Sequence, residues 1–286
     1  MRVDNGKESP LKPRPEDLYL ELMKSTLTFA LWPEPPIRIE TFNYMRPRFR
    51  RLFVSAIARI FSFKDYHIYR EVTFRTDQIE EGKVWPAYAD TMIGLKRLSN
   101  IQFCVETVIR EGIDGDLIEA GVWRGGACIF MRAILAAHGI DDRKVYVADS
   151  FEGLPKPDVE KFPADKGDIH YTHPYLAVSQ EEVETNFRRY GLLDSQVVFL
   201  KGWFKDTLPQ APIEKLGVIR LDGDMYGSTI DALTSLYPRL SEGGFVICDD
   251  YALPGCKRAV EDFRAENGIR GEMKAVDWTG IYWRKE

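Results

Sequence analysis

Two acidic pairs stand out by residue type and by position. Asp222 and Asp224 lie in RLDGDMYGST, and Asp249 and Asp250 lie in VICDDY; each pair ends an apolar run. Carboxylates gathered in this way repel one another unless a cation, a proton or a substrate offsets their charge. Neighbouring strands lie about 4.8 Å apart, so Asp222 and the Asp249–Asp250 pair can converge on one ion if the two runs are adjacent strands. Hard oxygen donors suit Mg²⁺, which keeps several waters or substrate oxygens in its octahedron. Capping of the following helices, with Asp224 or Ser228 near one helix start, explains one or two such aspartates but not four.

Three further strand ends carry groups of interest. IEAGVWRGG places Glu119 before Gly121, Gly125 and Gly126, where glycines let a ligand approach the backbone at a helix N-terminus. A tight strand-to-helix turn wants the same glycines, and the spacing departs from the G-x-G-x-x-G dinucleotide fingerprint. VADSF places Asp149 where such folds bind ribose hydroxyls, although a solvated loop aspartate reads the same way. KGWF offers Trp203 or Phe204 to stack on an adenine, or to fill the core. Together the first two ends favour an adenosine-containing ligand.

The elements that must position these groups alternate strand with helix from about residue 90. DLIEAG, KVYVADSF, QVVFLKGWF, LGVIRLD and GGFVICDDY read as strands, and the segments that follow most of them carry helical patterns. SQEEVETNFRRYG has Ser179 and Glu182 in capping-box spacing. Alternating βα units imply a doubly wound, mostly parallel α/β sheet, which binds ligands outside the carboxyl ends of its strands. EMKAVDWTGIYWRK, turning at Thr279-Gly280, reads as a C-terminal antiparallel hairpin. Residues 152–175 form a long Pro-rich stretch without clear period, the mark of a functional lid or a disordered loop.

Upstream, EDLYLELMKSTLTFALW has helical apolar spacing, and MRPRFRRLFVSAIARIFSFK is a basic amphipathic pattern. The latter fits packing against the main domain or a second subunit better than a membrane surface. Residues 1–85 are therefore read as an N-terminal helical extension or lid, and residues 86–286 as the catalytic domain. Of 286 residues, 39 are Lys or Arg and 44 are Asp or Glu, and this acidic balance gives no support to nucleic-acid binding. The polar N-terminus lacks the apolar region of a signal peptide, and no run is long enough to span a membrane. Cys104, Cys128, Cys248 and Cys256 show neither zinc-site pairing nor disulfide-framework density, so buried free thiols in a reducing, cytoplasmic setting are expected.

DLIEAGVWRGGACIFMRA, VYVADSFEGLP, LDGDMYGST and VICDDY, taken in order with TMIGLKRLSNIQ and DWTGIYWRK, resemble the macrocin O-methyltransferase-like family. Its members use S-adenosylmethionine and Mg²⁺ to methylate deoxysugar hydroxyls of antibiotics. The resemblance covers about residues 86–286 and implies a class I methyltransferase fold. It further implies that Asp222, Asp249 and Asp250 hold Mg²⁺ and that Asp224 is the general base. The implied cofactor site comprises Glu119, Gly121, Asp149, Ser150, Phe151, Gly202, Trp203 and Asp222, with Thr91 and Met92 near the methionine moiety. A metal ion and a sulfonium would then offset the clustered carboxylates. His170 and His173, with the better unperturbed pKa, are the competing base candidates. The implied acceptor is a sugar or glycosylated natural product, and the apolar N-terminal helices make a homo-oligomer the expected state. Against this stand a metal-dependent glycosyltransferase using D-x-D and a non-catalytic partner protein working through the basic helix.

Overall fold

The computed structural model describes residues 12–39, 47–62, 66–71, 73–84 and 86–286. The expected domain boundary at residue 85, and the ends of the basic pattern at residues 45–46 and 63–64, lie outside them. The chain opens with α1 (Pro15–Leu27), the short strand β1 (Ile37–Arg38), α2 (Arg48–Ser62), β2 (Tyr69–Arg70) and α3 (Thr76–Glu80). The main domain follows as α4 (Leu95–Arg110), β3 (Asp116–Ala120), α5 (Gly126–Ala137), β4 (Val145–Asp149), α6 (Gln180–Arg189) and β5 (Val197–Lys201). It continues through α7 (Phe204–Thr207), β6 (Leu216–Leu221), α8 (Tyr226–Leu236), β7 (Leu240–Cys248), α9 (Pro254–Glu266), β8 (Lys274–Ala275) and β9 (Ile281–Arg284).

Strands β3 to β9 form one sheet in the order β5-β4-β3-β6-β7-β9-β8. All pairs are parallel except β7–β9 and β8–β9, so the C-terminal hairpin is antiparallel as expected, with β9 between β7 and β8. This is the class I methyltransferase arrangement. The five parallel strands are largely apolar because both faces are covered by helices. One face packs on α1, α4 and α5 through residues such as Leu20, Leu98 and Ile129; the other packs on α8 and α9 through Leu233 and Val260.

Register decides what the carboxyl edge presents. Ala120 pairs with both Ala148 and Leu221, and Leu221 pairs with Cys248. The residues just beyond therefore form a row: Asp149, Gly121, Asp222 and Asp249. The ladder carries on past the strands, with the Gly121, Asp222 and Asp249 amides donating to the Ala148, Ala120 and Leu221 carbonyls, each at 2.9 Å.

Leu20, Met23 and Leu27 of α1 belong to the same core as α4 and α5. Helix α2 is different: Phe49, Leu52, Phe53 and Ile60 stand exposed, so packing on the main domain does not account for its apolar face. The four cysteines are buried and free.

Candidate active site

A cavity of about 510 Å³ opens at the carboxyl edge. Its wall includes Thr91, Met92, Glu119, Gly121, Asp149, Ser150, Gly202, Trp203, Asp222, Asp224, Asp249 and Asp250, so the sequence-predicted residues meet in one place. Phe151 is the exception. It is buried in the apolar core, 6.0 Å from the Phe199 ring, and does not line the cavity. Its φ of 58° turns the side chain under the sheet just past the strand end.

Oxygens of Asp222, Asp249 and Asp250 lie within 4.8 Å of one another, close enough to share a cation. The charge problem is met first by two buried arginines. Arg220 bonds Glu119, Asp222 at 2.9 Å and Asp249; Arg97 bonds Asp249 and, at 2.8 Å, Asp277. The protein thus supplies two fixed positive charges of its own, beside those expected from a metal and a sulfonium. They do not suffice. Burial first, then the neighbouring charges, raises the pKa of Asp222 and raises that of Asp250 well above the carboxylate range. A site whose acids are held toward protonation by burial, and then by one another's charge, suits a divalent ion.

Asp224 sits at φ 56° in the turn between β6 and α8, and its amide donates to Asp250 Oδ2 at 3.0 Å. Burial, followed by the charge of Asp222, pushes its carboxyl up to about 7, with His170 pulling the other way. His170 lines the same cavity and pairs through Nδ1 with Asp168 at 2.8 Å. Burial works against its positive charge, but Asp168 and Asp224 together raise its pKa. His173 stacks on Tyr175 at 5.5 Å and is not part of the wall.

At the end of β4, Asp149 accepts from the Val122 amide at 2.8 Å and from the Phe151 amide at 2.7 Å, tying the two strand-end turns together. Gly121 must be glycine: its φ is 92°, and an added Cβ would lie 1.9 Å from the Asp222 carbonyl oxygen. Gly126 at the start of α5 leaves room for the chain at Asp90 and Thr91, which brings Thr91 and Met92 to the wall. Glu119 is held inside the protein, with one oxygen on Arg220 and the other accepting from Cys128 Sγ at 2.8 Å. It thus lines the wall and holds Arg220 in place.

A family model for macrocin O-methyltransferases (TylF) matches residues 16–285. The chain belongs to that family. It is 48% identical over 269 residues to a tetracenomycin rhamnosyl 4'-O-methyltransferase from Streptomyces olivaceus, covering 94% of this chain and 92% of that one. It is 48% identical to demethyldecarbamoylnovobiocin O-methyltransferase from Streptomyces niveus, covering 94% and 93%. With mycinamicin III 3''-O-methyltransferase from Micromonospora griseorubida it shares 52% over 218 residues, 75% and 86% of the two chains. The solved O-methyltransferase NovP, 47% identical, superposes with a TM-score of 0.80 over 94% of this chain and 99% of its own.

Membership makes this chain an O-methyltransferase and sets aside the glycosyltransferase and non-catalytic readings. The structure also places charged residues around this cavity that sequence reasoning missed. Arg220 carries a signal, since an arginine inside the apolar run GVIRLD must be paired if the strand is buried. Arg97, Asp168 and Asp277 carry none. The cap of α8 escaped as well. Neither Asp224 nor Ser228 supplies it; Asp165, from the long loop, accepts from the Tyr226 amide at 2.6 Å and the Gly227 amide at 3.0 Å.

Proposed function

We propose that this enzyme is an S-adenosylmethionine- and Mg²⁺-dependent O-methyltransferase acting on a sugar hydroxyl of a glycosylated natural product. The observation that carries the reading is the meeting of three ion-ready carboxylates with Asp224 and His170 in one cavity beside the glycine turn. The printed names of the relatives, two of which specify a primed sugar position, support a glycoside acceptor.

Asp222, Asp249 and Asp250 would hold the ion, with Arg97 and Arg220 fixing the two Asp249 oxygens. When bound, the metal would act as a Lewis acid that lowers the pKa of the acceptor hydroxyl. Asp149 and the Gly121 turn line the cofactor side, and Thr91 and Met92 its methionine end. Methyl transfer is an in-line displacement, so the residues of this wall serve to align oxygen, methyl and sulfur. Asp224 removes the hydroxyl proton as the C–O bond forms and the C–S bond breaks. Its carboxyl, held near neutrality, matches that task, and protonated His170 beside it favours the ionised form. Glu119, which lines the same cavity, also positions Arg220.

The deciding assay offers labelled S-adenosylmethionine with a panel of glycosylated natural products, with and without EDTA. Methyl transfer to a sugar hydroxyl that EDTA abolishes and Mg²⁺ restores is the expected result. Full activity in EDTA removes the metal from this account, and binding without transfer to any glycoside removes the acceptor class.

A further inference from the structure

The stretch between β4 and α6, expected as a lid or a disordered loop, is folded into short 3-10 turns at Pro163–Asp165, His170–Thr172 and Pro174–Leu176. Its fixed point is Asp165, buried at 4% exposure. Helix α8 starts with Met225 at the N-cap, whose side chain makes no capping hydrogen bond, and two of its first amides are taken by the Asp165 carboxylate instead. The cap thus comes from 61 residues upstream.

The fit around Asp165 is close on two helices. A Cβ at Gly227 would lie 2.7 Å from the Phe162 ring, and one at Gly255, in the first turn of α9, would lie 2.9 Å from Asp165 Oδ1. Phe162 also packs on Tyr226, ring centroids 5.6 Å apart. Both helices therefore begin with glycines where the loop is seated. The turn immediately before α8 carries Asp222 and Asp224, and the seated loop carries His170 and Tyr175 into the same cavity. Charged hydrogen bonds at a helix N-terminus act on the first turn and fade beyond it.

We propose that Asp165 is a positioning residue that couples seating of the 152–176 loop to the Asp222–Asp224 turn, so that the acceptor-side wall and the catalytic turn form together. The inference rests on the reading of that turn given above, but its test needs no acceptor and no turnover. An ordinary cap stabilises its own helix; a coupling residue orders two segments far apart in sequence.

The test is hydrogen–deuterium exchange on the full-length enzyme and on Asp165→Ala, Asp165→Asn and the exposed loop control Lys166→Ala. Asp165→Ala should raise exchange about tenfold in both the 222–230 and the 158–176 peptides, the scale of losing a charged cap. Strands β3 and β4 should be unchanged, and affinity for S-adenosylhomocysteine should stay within about twofold. Mn²⁺ affinity, read by electron paramagnetic resonance, should fall about fivefold or more, because Asp222 lies in the released turn. Asp165→Asn, which keeps one acceptor oxygen, should restore much of the protection in both segments, and Lys166→Ala should match wild type. Faster exchange confined to 222–230 would make Asp165 a plain helix cap and overturn the coupling. So would a uniform rise across the sheet, or no rise at all. Failure of wild type to bind Mn²⁺ would count against the metal reading alone, and the exchange results would still decide the coupling.

Discussion

The backbone N–H of Asp224 donates to Asp250 Oδ2 at 3.0 Å, which ties the turn after β6 to the end of β7. Asp224 occupies the left-handed region at φ 56°, a conformation that costs energy for a residue other than glycine. The bond offsets part of that cost and fixes where the Asp224 carboxylate points. One acidic pair thus serves the other, since a residue assigned to the ion also holds the residue assigned to the proton.

That division of labour is tested by Asp224→Asn. The amide keeps the shape but cannot take a proton, so turnover should fall by about 10²–10⁴, the usual worth of a general base. Cofactor and Mg²⁺ binding should stay within about twofold, since Asp224 is assigned to neither. Single-turnover kinetics alongside calorimetry separate the two effects. Turnover near that of wild type rejects the assignment.

Metal binding should be visible as protons. Burial and crowding hold Asp250, Asp222 and Asp224 toward their protonated forms in the metal-free protein. A divalent ion needs its carboxylates ionised, so loading at pH 7 should release on the order of one proton per ion. Calorimetry in buffers of different ionisation enthalpy measures this directly. Apparent affinity should weaken as pH falls, because ion and protons compete for the same oxygens. Heats that show no dependence on buffer argue against ion binding at these aspartates.

Arg220 should matter for stability more than a surface arginine does. It is buried between Glu119, Asp222 and Asp249, and its loss leaves Glu119 and Asp222 without an arginine and Asp249 with Arg97 alone. Arg220→Met should cost about 3–5 kcal/mol, the range for breaking a buried ion pair from one side. The sign of its pH dependence follows. Carboxylates whose folded pKa is raised bind more protons folded than unfolded, so the variant should lose stability as pH rises from about 5 to 8. Urea unfolding at both values checks it, and an equal loss at both would place the cost in packing.

Much of this architecture was legible in the sequence, and the failures have physical causes. Apolar runs of strand length gave the parallel sheet, because burial on both faces leaves a continuous pattern. The four aspartates were visible because they interrupt that pattern where the strands end. Phe151 falls outside the cavity wall because strand alternation stops once φ turns positive at a strand end. Arg97 could not be read at all. It reaches from α4 to Asp249, 152 residues away, and only the tertiary fold makes them neighbours. Asp165 escaped for the same reason, since a cap is sought beside its helix and this one lies on a distant loop.

His170 gives the pH dependence of the reaction its sharpest test. Its positive charge lowers the Asp224 pKa, and Asp224 in turn helps to raise that of His170. The two therefore titrate as a pair, and the apparent values belong to the pair. In wild type, kcat/KM should rise with pH as the Asp224 carboxyl, held up to about 7, loses its proton. A bound cation draws that limb to lower pH. Replacing His170 by Asn removes one of the charges that favour ionised Asp224, so the acidic limb should move to higher pH while the plateau stays within about tenfold. If His170 were itself the base, the same variant would lose the plateau by a far larger factor. A pH profile of kcat/KM for the two proteins, at saturating Mg²⁺, distinguishes a neighbour that tunes the base from the base itself.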